Sequence, residues 1–219
     1  MKPALIIGNW KSNKTSQEVE EWFAQISSEA FLPAKATVIV CPPFPLLSLC
    51  KKLVEKYHLN WYIGAQDVSQ FTPGKYTGEV SATLLKEYAQ YVLVGHSERR
   101  NKLHETDDML FEKVKRVKEV GLTPVFFVED TKTPLPKDIQ IVAYEPIFAI
   151  GTGTADTPEH AEEVAHYLKT VQRIPTVLYG GSVDDKNVAL FMSCSSIDGI
   201  VPGNASLDPI IFSRLIQHA

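Results

Sequence analysis

Apolar residues along the chain gather in short, nearly continuous runs instead of alternating with polar ones. Eight such runs occur, at residues 4–7, 37–41, 61–65, 91–94, 125–128, 139–143, 176–179 and 197–201. A strand covered on both faces reads this way, so these runs are predicted to be parallel strands of one sheet. Between most of them the apolar spacing changes to the helical period. Thr15-Ser16-Gln17-Glu18 has the form of a capping box and precedes Val19, Trp22, Phe23 and Ile26 on one stripe. Thr157 before Pro158 reads as an N-cap and first helical residue, ahead of Ala161, Val164, Ala165 and Leu168. Met109, Leu110, Val114, Val117 and Val120 mark another helix, ended at Gly121. Weaker helical patterns cover residues 46–57, 79–88, 185–192 and 207–216.

Eight strands with intervening helices predict an α/β protein, a (β/α)8 barrel, with a doubly wound open sheet as the alternative. No linker, low-complexity tract or shift of composition divides the chain, so residues 1–219 are expected to form a single domain. One gap breaks the alternation. Only ten residues, 129–138, separate Val128 from Ile139, and two of them are Pro134 and Pro136. A parallel crossover takes a dozen or more residues, usually with a helix. The connection between the fifth and sixth strands should therefore be reduced and its helix vestigial or absent. The outer faces of these two strands then need another cover, and Leu135 between its prolines is expected to lie over them.

Composition narrows the function classes. The 219 residues carry 22 basic and 26 acidic side chains, a formal net charge of −4, which argues against a nucleic-acid surface. No apolar run is long enough to span a membrane. The N-terminal apolar run turns polar at Gly8-Asn9, too soon for a secretory signal. Cys41, Cys50 and Cys194 are an odd number without metal-ligand spacing, so neither a disulfide framework nor a zinc site is implied. These features together predict a cytoplasmic enzyme or binding protein whose ligand is held by local groups.

In a barrel the residues just after the strands share one face, and that face carries the chemistry. Here they are Asn9 and Lys11, Gln66, His96 with Ser97 and Glu98, Glu145, Gly180-Gly181-Ser182, and Gly203-Asn204. One cation, one histidine, carboxylates and two late glycine loops suit proton transfer on a small phosphorylated substrate. Glycine lets backbone N–H groups approach a phosphate closely, and barrel phosphate sites form after strands seven and eight. Glu145 precedes Pro146-Ile147-Phe148-Ala149-Ile150-Gly151-Thr152-Gly153, an apolar loop bounded by Pro and Gly that reads as a lid over a general base. A lone lysine or histidine in such a position is more often structural; joint placement with Glu145 lifts Lys11 and His96 above that. Gly95-His96-Ser97-Glu98-Arg99 begins like a nucleophile elbow but ends in Arg. Gly151-Thr152-Gly153-Thr154-Ala155-Asp156 begins like a dinucleotide fingerprint but lacks the last glycine and follows the sixth strand.

Read in order, the motifs resemble the triosephosphate isomerase family over essentially the whole chain. They include Gly8-Asn9-Trp10-Lys11, Ala65-Gln66-Asp67, Tyr76-Thr77-Gly78-Glu79, Gly95-His96-Ser97-Glu98-Arg99-Arg100, Ala143-Tyr144-Glu145-Pro146 and Tyr179-Gly180-Gly181-Ser182-Val183. The resemblance implies a TIM barrel that interconverts dihydroxyacetone phosphate and D-glyceraldehyde 3-phosphate, with neither metal nor organic cofactor. It implies Glu145 as base, neutral His96 on the carbonyl, Lys11 and Asn9 on the oxyanion side, and Glu98 beside Lys11. Gly151, Ser182, Gly203 and Asn204, with Asn9 and Lys11, would hold the substrate and its phosphate. It also implies a homodimer, in which the connection from Asp67 to Gly78 reaches the neighbouring subunit's Asn9 and Lys11; a tetramer is the minority expectation. Phe148 stands where the family usually has Trp, and Asn204 where it usually has Gly. Another sugar-phosphate barrel enzyme, or a phosphate-binding barrel without activity, is the alternative reading.

Overall fold

The computed structural model describes residues 3–28, 36–147 and 156–218. Eight parallel strands, β1 (Ala4–Asn9), β2 (Ala36–Cys41), β3 (Tyr62–Ala65), β4 (Tyr91–Val94), β5 (Thr123–Val128), β6 (Ile141–Tyr144), β7 (Thr176–Tyr179) and β8 (Gly199–Ile200), close into a barrel. Each pairs with the next in chain order, and β8 pairs back onto β1 through Leu5↔Gly199 and Ile6↔Ile200. The closed form of the two predicted architectures is thus the one observed.

Helices α1 (Ser16–Ser28), α2 (Leu47–Lys56), α3 (Ala82–Leu85), α4 (Ser97–Lys102), α5 (Asp107–Glu119), α6 (Pro158–Thr170), α7 (Val188–Met192) and α8 (Pro209–Gln217) lie between and after the strands. Their ends follow local chemistry. At α1 the Glu18 carboxylate accepts from the Thr15 N–H while Glu18 N–H donates back to Thr15 Oγ1, the reciprocal capping box. Thr106 and Thr157 cap α5 and α6 through their hydroxyls, and Gly121 ends the α5 segment with φ +79°. Two helices are shorter than their patterns suggest. Residues 79–88 yield only α3, because the Val80 carbonyl is engaged by the Ser69 N–H and the chain is still extended there. Residues 185–192 yield only α7, because Asp184 Oδ1 captures the N–H groups of Lys186 and Asn187 in a turn.

The core has two layers. Side chains pointing inward, among them Ile7, Ile39, Leu93, Val125, Phe127, Ala143 and Leu178, fill the barrel. The alternate residues pack outward against the helices, around Ile6, Val40, Val92, Phe126, Val142 and Val177.

Among the described residues, no helix lies between β5 and β6. Yet the outward side chains Phe126, Val128, Val142 and Tyr144 are all buried. Their cover comes from both sides. Phe111 of α5 packs on Phe126 with ring centroids 6.4 Å apart, and the Arg100 guanidinium stands 5.4 Å over the same ring. The connection itself is tied down at its edges. Lys118 Nζ donates to the carbonyls of Lys137 and Asp138, and Gln172 Nε2 donates to that of Thr131. Leu135 is half-buried and packs against the outer core. Neighbouring helices and the proline-framed segment thus share the work of the missing helix.

Candidate active site

β1 ends at Asn9, and two residues later Lys11 adopts φ +52°, a left-handed conformation that turns its side chain back across the barrel mouth. This turn is held from two sides. Lys11 N–H donates to Asn9 Oδ1 at 3.2 Å, and Gln66 Nε2 donates to the carbonyls of both Lys11 and Cys41 at 2.8 Å. Lys11 Nζ donates to Glu98 Oε1 at 2.9 Å. Burial works to raise the Glu98 carboxyl, but the Lys11 ammonium outweighs it and leaves the group below its ordinary value.

His96 stands at the N-cap of α4, and its Nδ1 accepts from the Glu98 N–H at 3.2 Å. A ring nitrogen that accepts cannot carry a proton, so the proton of the neutral imidazole sits on Nε2. Nε2 in turn lies 3.0 Å from Glu145 Oε1. Burial pushes the histidine down to about 4, and the nearby Lys11 charge acts the same way. The pair is therefore a neutral imidazole donating to a carboxyl group, not an ion pair.

Glu145 follows β6, with its N–H donating to the Val128 carbonyl at 2.8 Å. Its side chain is almost wholly enclosed, with the residue 2% exposed, and Oε2 accepts from the Ser97 N–H at 3.0 Å. Burial pushes its pKa up to about 7, against the lowering effect of the Ser97 hydrogen bond. A carboxylate poised near neutrality beside a neutral N–H donor is equipped for proton abstraction.

On the other side of the mouth, Gly180 N–H donates to the Tyr144 carbonyl at 2.7 Å, which brings the turn after β7 against the end of β6. Gly181 has no room for a side chain, because the Tyr179 hydroxyl occupies that place. After β8, Asn204–Ser206 form a single 3₁₀ turn. A Cβ on Gly203 would stand 3.4 Å from Lys11 Cε, so the lysine stem runs beside this turn. A small cavity of about 150 Å³ is lined by Asn9, Lys11, His96, Glu145, Ser182, Gly203 and Asn204 among others. That is below the roughly 300–1,000 Å³ of sites for drug-sized ligands, so it suits a small molecule.

A model of the family described as triosephosphate isomerase matches residues 4–139 and 136–219. The chain belongs to the triosephosphate isomerase family. Curated relatives agree across their full lengths. The triosephosphate isomerase of Thermus thermophilus is 36% identical over 253 residues, covering 100% of both chains. That of Aquifex aeolicus is 34% identical over 97% of this chain and 98% of its own, and that of Trichodesmium erythraeum 36% over 100% of both. The alignment with the Thermus triosephosphate isomerase is longer than the 219 residues present here, so this chain is a shortened member. The two stretches matched by the family meet at residues 136–139, at the end of the helix-free connection.

Of the residues expected at the site, Asn9, Lys11, His96, Glu145, Ser182, Gly203 and Asn204 line one cavity, and Glu98 stands behind Lys11 in an adjoining hollow. Pro146 and Ile147 follow directly, with Ile147 exposed. Phe148, Ala149, Ile150, Gly151, Thr152 and Gly153 lie outside the described residues. Two participants had no site role in the sequence reading. Phe127 lies against His96 with ring centroids 5.1 Å apart; inward alternation along β5 is the signal that marks it. Ser97 was visible as a strand-end residue, but its backbone N–H, not its hydroxyl, holds Glu145. Among the described residues no cluster of His, Cys, Asp and Glu has the form of a metal site, and no helix is long and apolar enough to cross a membrane.

Proposed function

We propose that this chain interconverts dihydroxyacetone phosphate and D-glyceraldehyde 3-phosphate through an enediolate, with the residues of the barrel mouth in the following roles. The observation that carries the assignment is the raised carboxyl of Glu145 beside the neutral, Nε2-protonated His96, with the Lys11 ammonium on the same small cavity. Glu145 takes the proton from the carbon next to the carbonyl and returns it to the adjacent carbon. The His96 Nε2–H, which points at Glu145, is the donor for the substrate carbonyl once the substrate lies between them. Lys11 and Asn9 then face the developing oxyanion, where fixed charge and dipoles act most strongly. Glu98 anchors the lysine. Each proton moved has a donor and an acceptor among these groups. The phosphate is assigned to the backbone around Ser182, Gly203 and Asn204, with Gly151 contributed by the segment 146–153 as a lid that excludes water.

We also propose a homodimer in the cytoplasm, built from one barrel domain per subunit. A second hollow of about 420 Å³ opens beside Lys11, Gln66, His96, Glu98 and Lys102. The loop from Asp67 to Gly78 carries a stacked Phe71–Tyr76 pair, both rings exposed, and is a protrusion of suitable shape for a neighbour's hollow. All three cysteines are unpaired, in keeping with a reducing compartment.

A coupled assay on D-glyceraldehyde 3-phosphate tests the activity, and Glu145→Gln tests its base. Loss of a general base lowers kcat by about 10²–10⁴-fold. A wild-type protein that binds inorganic phosphate without turnover would make it a binding barrel. A Gln variant that keeps more than a tenth of wild-type kcat would overturn the role of Glu145.

A further inference from the structure

Gln66 follows β3 directly and stands among the strand-end residues, yet the chemistry above gives it no part. Its place is at a fork in the sheet. β1 pairs with β2 as far as Asn9↔Cys41, and the Trp10 N–H still donates to the Cys41 carbonyl at 3.2 Å. At the next residue the chain leaves the sheet, with Lys11 at φ +52°. Gln66 Nε2 bridges the fork. It donates to the Cys41 carbonyl on one side and to the Lys11 carbonyl on the other, both at 2.8 Å. A primary amide has two N–H groups, and these two carbonyls take up both.

Lys11 needs such a support. Residues with a Cβ avoid positive φ and persist there only where the surroundings over-determine the backbone. Asn9 Oδ1 fixes the Lys11 N–H and Gln66 fixes the Lys11 carbonyl, so the peptide units on both sides of the Lys11 Cα are tied down. Those two planes set the direction of the side chain. It runs beside Gly203 and brings Nζ to 2.9 Å from Glu98 Oε1. The ion pair alone does not hold the ammonium in place, because its side chains are 28% and 37% exposed and such pairs contribute little. A tie between β2 and β3 does not account for Gln66 either. Ile39↔Tyr62 and Val40↔Ile63 already register those strands, and one amide N–H goes to a turn outside the sheet.

We propose that Gln66 is a positioning residue for Lys11, clamping the turn after β1 in the positive-φ conformation that carries the ammonium into the barrel mouth. The kinetic consequence rests on the isomerase reading; the clamp itself does not. Without the amide, the Lys11 backbone relaxes toward ordinary φ and the ammonium leaves the oxyanion side. Displacing a catalytic group by about 1 Å costs up to about 100-fold in rate.

Gln66→Met keeps the length of the side chain and removes both N–H groups. Two measurements on the full chain test the clamp: hydrogen exchange read by mass spectrometry over residues 9–13, and kcat/KM for D-glyceraldehyde 3-phosphate in a double-mutant cycle with Lys11→Met. Gln66→Met should speed exchange over residues 9–13 while β2 and β3 stay protected, and should lower kcat/KM by about 10–100-fold. In the Lys11→Met background the same substitution should cost about twofold or less, because the ammonium it positions is gone. Unchanged exchange over residues 9–13 would overturn the proposal, and so would exchange that speeds equally in β2 and β3. A loss of kcat/KM that persists in full in the Lys11→Met background would also overturn it, since Gln66 would then act through the sheet or a subunit contact. Should Gln66→Met fail to fold, Gln66→Asn carries the amide on a stem one carbon shorter, which cannot span both carbonyls, and the same outcomes decide. A wild-type protein without turnover would defeat the isomerase reading, while the exchange measurement would still decide the clamp.

Discussion

Glu145→Gln should remove a pH dependence of stability that burial creates. The folded protein raises this carboxyl from the ordinary 4.5 to about 7, so the native state holds the proton more tightly than the unfolded chain does. Stability from this group is therefore complete below about pH 4.5 and is lost as pH rises through about 7. At about 1.36 kcal/mol for each pH unit between the folded and unfolded values, the full loss is about 3 kcal/mol, and about 2 kcal/mol or more of it develops between pH 5 and pH 9. Gln is neutral throughout and, like the protonated carboxyl, offers one acceptor oxygen where the carboxylate offers two to the Ser97 N–H and the His96 Nε2–H. The variant therefore lacks this titration altogether. Urea unfolding of both proteins at pH 5, 7 and 9 isolates the effect. The difference in unfolding free energy should shift in favour of the variant by about 2–3 kcal/mol from pH 5 to pH 9. Parallel stability curves would show that burial does not perturb Glu145, and the argument for a base poised near neutrality would fall with it.

Leu135→Asp should lower the melting temperature by several degrees without changing KM. An acidic group would enter the apolar cover of β5 and β6, a cost of about 1–3 kcal/mol at roughly 2–4 °C per kcal/mol for a chain of this size; an unmoved transition would mean that the connection gives no cover. Light scattering should report a dimer at micromolar concentration, and a fully active monomer would rule out the proposed exchange of Asp67–Gly78 loops.

The eight strands were legible because each is covered on both faces and so reads as an unbroken apolar run. The strand-end residues followed from that register, since Asn9, His96 and Glu145 each stand one or two residues beyond a run. What the sequence could not show depends on backbone groups meeting across the fold. The tautomer of His96 is set by the Glu98 N–H, and the resting contact of Glu145 by the Ser97 N–H. The shortness of α3 is set by a carbonyl already engaged at Ser69. The ten-residue gap foretold the absent helix and the cover given by Leu135, but not the share of it taken by Phe111 and Arg100. Arg100 lies in a motif that points to chemistry, and its guanidinium instead roofs Phe126.

That short connection also changes how the chain must find its fold. Strands β5 and β6 pair through Val125↔Ile141, the closest strand partners in chain distance, whereas β6 and β7 pair through Ile141↔Thr176. Because the entropy lost in closing a loop grows with the logarithm of its length, halving the span spares about 0.6 kcal/mol of conformational entropy. The final pairing, Leu5↔Gly199, joins the two ends of almost the entire polypeptide. By losing a helix, the barrel has acquired a near-hairpin of parallel strands at its middle, a local seed from which the distant closure can be approached in both directions.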